Sequence, residues 1–200
     1  MTSGSRIIVF AVGGVFDIGN GFRPEGNLTI AGQTAPGDGV TITSSSEGYL
    51  EFYEGNVIVR NIRFRNGGGN GYSMFRFICN DNRDIRDVIF DHCSLSWGDP
   101  SEMLIAFERE LNNEQDNIAH DVTIQKSIFA EAGKSVLMYR GGYNFTFYQN
   151  YFYDPGFRTP MANYPYENPS LDVLTFENIN TIIHNVTSAI SIGLGTKISV

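Results

Sequence analysis

The chain has 200 residues, of which 42 % are apolar and 18 % are charged, so it is too hydrophobic for wholesale disorder and long enough for one domain with a sizeable core. Its formal net charge of −8 argues against a nucleic-acid-binding protein, which normally carries a basic surface. No apolar run approaches the roughly 20 residues that span a bilayer, and residues 1–6 lack the charged and apolar regions of a signal peptide.

A short segment recurs along the chain. It opens with Asn or Asp, continues through about three β-formers, turns at a polar pair and resumes with an apolar residue. Gapless copies lie at 56–64, 87–95, 121–129 and 144–152, and their first residues are separated by 31, 34 and 23 positions. An earlier copy begins at Asn27, and a looser one spans 171–185. Internal repetition on this scale is typical of solenoids.

The apolar pattern of the copies predicts strands. Their apolar residues alternate with polar ones, and only 103–111 carries a weak 3.6-residue period. A repeat of roughly 20 to 35 residues with several short strands predicts a parallel β-helix. A β-sandwich is the alternative, but its hairpins favour Asn-Gly turns, and Asn-Gly occurs at only three places, 20–21, 66–67 and 70–71. We therefore predict one all-β domain over residues 1–200, with about six to seven rungs.

Neither end of the predicted solenoid carries a recognisable cap. Residues 6–10 begin as a strand almost at once, and 190–200 end as one. Exposed strand edges pair readily with other chains. We therefore expect either a solenoid truncated at both ends or self-association through the uncapped ends.

Five segments in chain order resemble the pectate lyase superfamily. They are TIAGQTAPGDG at 29–39, VIFDHCSLSW at 88–97, the two rungs at 122–131 and 145–152, and FRTP at 157–160. The resemblance covers the chain from about Arg6 to Asn185 and implies a right-handed, single-stranded parallel β-helix. It also implies cleavage of an acidic, uronate-containing polysaccharide by β-elimination.

This chemistry needs a base beside the carbon that carries the uronate carboxyl group, and positive charge to stabilise the developing enolate. Arg158 matches the first Arg of the family's Arg-x-Pro-Arg element, which implies a role as proton abstractor. Lys134 resembles the lysine that holds a substrate carboxylate, and Arg140 lies close to it in sequence. We predict Arg158 and Lys134 as catalytic residues and Arg140 as a substrate-binding residue.

Tyrosines are concentrated in the same part of the chain. Seven of the ten fall between positions 139 and 166, and some lie in a Pro-rich segment that we expect to be exposed. Amphipathic rings beside Asn and Arg suit sugar binding, and they equally suit a protein interface. Tyr139, Tyr164 and Tyr166 are the predicted substrate contacts.

The chain departs from the family at the positions for calcium and for a second cation. The second Arg of Arg-x-Pro-Arg is Met161, and Gly71 and Ser73 stand where the family places acidic calcium ligands. Glu102 and, if the loop is shifted, Asp99 are the remaining candidate ligands. Calcium prefers six to eight oxygen ligands with several carboxylates, so these departures favour a calcium-independent enzyme acting on a less charged or esterified polymer.

The Asp91–His92 pair invites an acid–base interpretation. The repeat aligns Asp91 with Arg60 and Gln125, which flank predicted turns, so we expect a structural role for the pair. The same departures leave a second function open for the whole chain. It is a non-catalytic carbohydrate-binding or structural β-helix, such as a component of a viral tail, an adhesin or an extracellular assembly. The resemblance implies an extracellular or surface-associated location in either case.

Overall fold

The computed structural model is built from short strands. It describes residues 4–46, 48–66, 73–80, 83–98, 103–109, 117–139, 142–163, 174–192 and 196–199. The described residues form 21 strands and one 3-10 turn at Gly32–Thr34, and they contain no α-helix. They also contain no helix long and apolar enough to cross a membrane.

The strands form three parallel sheets, which we call sheets A, B and C. Sheet A contains β1 (Arg6–Val9), β3 (Leu28–Ala31), β6 (Val57–Arg60), β9 (Ile85–Asp91), β12 (Ala119–Gln125), β15 (Gly142–Tyr148), β18 (Leu174–Ile179) and β21 (Thr196–Ser199). Sheet B contains β2 (Gly14–Asp17), β4 (Val40–Thr43), β7 (Ile62–Arg65), β10 (Ser94–Ser96), β13 (Ile128–Ala130), β16 (Tyr151–Tyr153) and β19 (Ile182–His184). Sheet C contains β5 (Leu50–Phe52), β8 (Phe75–Cys79), β11 (Met103–Arg109), β14 (Lys134–Tyr139), β17 (Phe157–Asn163) and β20 (Ser188–Ile192).

The chain contributes strands to sheets A, B and C in that order, and each strand pairs in parallel with the equivalent strand of the previous rung. Val57 pairs with Val88, Val88 with Val122, and Val122 with Phe145, so the four copies of the repeat lie level on neighbouring strands of sheet A. This register confirms the predicted right-handed parallel β-helix fold class and rules out a sandwich of antiparallel hairpins.

Left-handed backbone conformations mark the corners between the sheets. The first residue of five repeat copies has a positive φ: Asn27 and Asn56 directly precede their sheet A strands, and Asp87, Asp121 and Asn144 lie near the start of β9, β12 and β15. Residues with positive φ also lie at the A-to-B corners (Asn61, His92, Lys126, Gln149 and Asn180) and at the B-to-C corners (Trp97, Glu131, Asp154 and Asn185). Asn and Asp tolerate this conformation because their short polar side chains hydrogen-bond locally. The Asn56 amide, for example, donates to Asn27 Oδ1 at 2.8 Å.

The interior consists of aromatic and aliphatic side chains stacked from rung to rung. Phe77 lies between Phe52 and Phe107, with ring centroids 4.9 Å away on each side and nearly parallel planes. The two cysteines, Cys79 and Cys93, are buried and are not joined in a disulfide. No single rung could bury these side chains alone, so stacking of rungs stabilises the fold.

The weak 3.6-residue period at 103–111 does not correspond to a helix, because Met103–Arg109 is strand β11. Ile105 and Phe107 face the core, while Ala106 lies on the opposite face of sheet C and is buried as well. With apolar residues on both faces, the strand lacks the alternation that normally identifies it.

Strands β1 and β2 lie at the edges of sheets A and B and expose apolar side chains. Ile7, Val9 and Val15 are each more than 60 % exposed. Self-association through this edge remains a prediction.

Candidate active site

Sheet C carries three of the residues that sequence reasoning selected, Lys134 and Tyr139 in β14 and Arg158 in β17. The register places Glu51 opposite Arg76, Arg76 opposite Ala106, Ala106 opposite Leu137 and Leu137 opposite Met161. Side chains alternate between the two faces of a strand, and the neighbours of these residues, such as Phe75 and Phe77, point into the core. The row from Glu51 to Met161 therefore runs along the outside of the sheet.

One end of this row is a charged ladder. The Glu51 carboxylate, only 2 % exposed, lies 2.6 Å from Arg23 Nε and 2.6 Å from Arg76 Nη1. Arg76 Nη2 is also 3.0 Å from a carboxylate oxygen of Glu108. Burial works against the charged form of Arg76, but the carboxylates of Glu108 and Glu51 outweigh it and raise its pKa. The ladder fixes alternating charges along the outer face.

The other end of the row is apolar. Met103, Ala106 and Met161 form a buried cluster separate from the main core, with Leu137 packed against it. Met161 stands at the position of the second Arg in the family element, and the cluster explains why an apolar side chain fits there. A cation at this position would lie among apolar neighbours.

Lys134 begins β14 beside this cluster. It pairs with Met103 on one side, and on the other side the Phe157 amide donates to the Gly133 carbonyl oxygen at 3.1 Å. The Lys134 ammonium lies over the Phe157 ring, 5.6 Å from its centroid. Arg158 follows Phe157 in β17, so the backbones of the two predicted catalytic residues lie at the same end of adjoining strands.

The other predicted site residues are divided between described and undescribed parts of the chain. Tyr139 is half-buried at the end of β14, opposite Asn163. The remaining predicted contacts and ligands lie outside the described residues: Arg140, Tyr164, Tyr166, Asp99 and Glu102. Gly71, which replaces a family ligand, lies outside them as well. Their roles therefore remain predictions.

The described residues do not by themselves supply a calcium site. They contain no group of three or more His, Cys, Asp or Glu side chains close enough to hold a metal ion. Ser73 is buried, and its hydroxyl accepts a hydrogen bond from the Met103 amide at 3.4 Å, so it is used within the protein. A calcium site here would depend on carboxylates such as Asp99 and Glu102.

Asp91 and His92 lie at the corner between sheets A and B, opposite sheet C. Asp91 Oδ1 is 2.8 Å from His92 Nδ1 and accepts a hydrogen bond from Gln125 Nε2 at 2.9 Å. Its other oxygen is 3.6 Å from Arg60 Nε. The pair flanks a turn and links three rungs, as the repeat alignment indicates.

Sequence reasoning missed Trp97 and its neighbours at the corner between sheets B and C. Trp97 is largely exposed, its indole N–H donates to the Glu131 carboxylate, and the Arg65 guanidinium lies over its ring, 5.8 Å from the centroid. Burial, followed by the nearby charge of Arg63, lowers the pKa of Arg65. The available signal was that Trp97 is the only tryptophan in the chain.

Comparison with known proteins finds fungal relatives of this chain. A protein of Neosartorya fischeri named probable pectate lyase C is 40 % identical over 127 residues, which are 63 % of this chain and 26 % of the relative. Proteins of the same name from Aspergillus flavus and Aspergillus terreus are 38 % and 36 % identical over 128 residues, with the same coverage. The resemblance to the pectate lyase superfamily is confirmed.

The similarity covers only part of each relative. The chain spans about a quarter of the length of these curated relatives. No family model matches the chain, and no solved structure matches it. The relatives therefore support the pectate lyase resemblance, while the activity of the whole protein is a matter for proposal.

Proposed function

We propose that this chain forms part of a lyase that cleaves a uronate-containing polysaccharide by β-elimination. The observation that carries the proposal is the position of Lys134, next to the strand that holds Arg158, on a face of a β-helix whose sequence resembles pectate lyases. β-Elimination needs a base and a carboxylate-binding cation within reach of one sugar, and adjoining strands of a parallel sheet lie only about 4.8 Å apart.

In the proposed reaction, Arg158 removes the proton from C5, the carbon that carries the uronate carboxyl group. The C–H electron pair forms the C4–C5 double bond, and the C4–O glycosidic bond breaks. The departing oxygen takes a proton from solvent. The Lys134 ammonium binds the carboxylate and stabilises the negative charge that develops on it, with Arg140 and the three tyrosines as further substrate contacts.

A guanidinium is almost always protonated, so a basic Arg158 needs surroundings that favour its neutral form. A nearby like charge has this effect. Lys134 begins the adjoining strand β14 and is our candidate for that charge.

Calcium is the second part of the proposal. If Asp99 and Glu102 bind it, the ion would supply positive charge for the substrate carboxylate. The acidic positions replaced by Gly71 and Ser73 instead favour a less charged or esterified polymer and activity without calcium. We propose the calcium-independent reaction, and an extracellular or surface location where such a polymer is accessible.

The test is the ultraviolet absorbance of unsaturated uronide product, with polygalacturonate and methylated pectin as substrates. Each would be run with calcium and with a chelator. Arg158→Ala is expected to abolish product, whereas Arg86→Ala, which removes an exposed arginine from sheet A, should leave the rate unchanged. No product from folded protein would refute this activity on these polymers and favour the non-catalytic carbohydrate-binding β-helix.

A further inference from the structure

The single tryptophan of the chain is exposed at a corner of the β-helix. Trp97 follows β10 at the corner between sheets B and C, and 53 % of its surface is accessible. Scattered exposed apolar residues are ordinary on protein surfaces, so exposure alone assigns no role. The contacts of this ring distinguish it.

Two charged side chains hold the indole in place. The Glu131 carboxylate, from the following rung, accepts a hydrogen bond from the indole N–H. The Arg65 guanidinium, from the preceding rung, lies over the ring. Arg65 is itself fixed, because it donates to the Phe64 and Ser94 carbonyl oxygens and to the Ser94 hydroxyl, each at 2.8 Å. An aromatic ring that is oriented before binding loses little conformational freedom when a ligand arrives.

The Trp97 corner adjoins the strands of the candidate active site. The Trp97 amide donates to the Glu131 carbonyl oxygen at 3.1 Å, so the two residues are level on adjoining rungs. Three residues after Glu131 the chain reaches Lys134, the first residue of β14. The corner that carries Trp97 therefore lies next to the end of sheet C where Lys134 begins β14.

We propose that Trp97 is a sugar-binding platform, which stacks against a pyranose ring of the polysaccharide one or more sugars away from the bond that is cleaved. The aliphatic C–H groups of a sugar face carry slight positive charge and are attracted to the negative face of an indole. Glu131 and Arg65 orient the ring for this contact. The assignment of a uronate polymer as the ligand rests on the proposed function.

The experiment follows the emission of this one tryptophan, which is the only indole in the protein. A galacturonate hexamer is titrated into the Arg158→Ala variant, which should bind the hexamer without cleaving it. We expect a saturable change in emission, with the same midpoint as binding measured by calorimetry. Trp97→Ala in that background should weaken calorimetric binding by about three- to tenfold, and Trp97→Phe should restore part of it.

Tyr143→Ala is the matched control, since it removes an exposed ring from sheet A and should leave binding unchanged. Unaltered emission during calorimetric binding, equal affinity of the Trp97→Ala variant, or no binding of the hexamer would each overturn the platform. Product formation by the parent protein is measured separately. An emission change without product supports the platform and rejects the lyase, whereas product without an effect of Trp97→Ala does the reverse.

Discussion

Met161 lies opposite Leu137 on the outer face of sheet C, and both belong to a cluster with Met103 and Ala106. The family element that Met161 interrupts carries a cation at this position. Here the neighbours are apolar and Met161 is buried, so the position contributes packing where the family has charge. In the proposed reaction, the positive charge on the substrate carboxylate must therefore come from elsewhere, and Lys134 is the predicted source.

Restoring a cation at position 161 should therefore destabilise the folded protein. Met161→Arg places a charged group in an apolar cluster, and we expect it to lower the free energy of unfolding by about 2 kcal/mol or more without raising lyase activity. Met161→Leu, which keeps the side chain apolar, should cost less than about 1.5 kcal/mol. Urea denaturation measures both. An arginine variant as stable as the parent would show that the cluster admits charge.

Lys134 should act on the reaction more than on folding. Lys134→Ala removes the proposed carboxylate partner, and we expect kcat/KM to fall about a hundredfold. Lys134→Arg should retain part of the rate, since a guanidinium also binds a carboxylate. The control is Lys126→Asn, which removes an exposed lysine at the corner between sheets A and B and keeps a residue that tolerates positive φ. Equal rates for Lys134→Ala and the control would remove Lys134 from the site.

The aromatic stack should dominate local stability. Phe77 is fully buried between Phe52 and Phe107, so Phe77→Ala leaves a cavity and should lower the free energy of unfolding by about 3–5 kcal/mol. Phe22→Ala, at a half-exposed ring, should cost about 1 kcal/mol or less. Chemical denaturation of the two variants gives the comparison, and similar losses would contradict the importance of the stack.

A third stability test concerns the corners. Asn56 has φ of 56° and donates to Asn27. Asn56→Gly loses the hydrogen bond but tolerates the backbone, whereas Asn56→Ala loses the bond and also strains the backbone. We expect the alanine variant to be the less stable of the two by about 1 kcal/mol. Thermal or urea unfolding can resolve that difference, and a glycine variant as unstable as alanine would argue against backbone strain.

The buried thiol of Cys93 should make stability depend on alkaline pH. Burial raises the pKa of this thiol from 9.0 to about 11. Below pH 9 the thiol is neutral in the folded and the unfolded chain alike. Between about 9 and 11 only the unfolded chain ionises, so the folded state loses stability as pH rises. The free energy of unfolding of the parent should therefore fall more steeply between about pH 9 and 11 than that of Cys93→Ala. If the two proteins lose stability in parallel over this range, the raised pKa is wrong.

The fold could be read from the sequence because its repeat is local and regular. The Asn or Asp that opens a copy takes the left-handed conformation, as at Asn56 and Asn144. In the five copies from Asn27 to Asn144, the apolar residues after it lie at the same level on neighbouring strands of sheet A. Strand β11 is the exception, since apolar side chains on both faces remove the alternation that a single sequence can show.

The site was less accessible to sequence reasoning. Motif order selected Lys134 and Arg158, and the register brings their strands together. The contacts of Trp97 depend on residues 32 positions before it and 34 after it, Arg65 and Glu131. Only the rung-to-rung alignment brings such distant residues together, and no local pattern at Trp97 indicates it.

In five successive rungs, from Asn61 to Asn180, the corner between sheets A and B contains one residue in the left-handed backbone conformation. The connections from sheet B to sheet C differ in length: nine residues separate β7 from β8, and three separate β13 from β14. The A-to-B connection thus keeps one residue of positive φ in each of these five rungs, while the segment that leads into sheet C varies in length. Loops that border sheet C can therefore differ between rungs of this fold while the turns between sheets A and B stay in place.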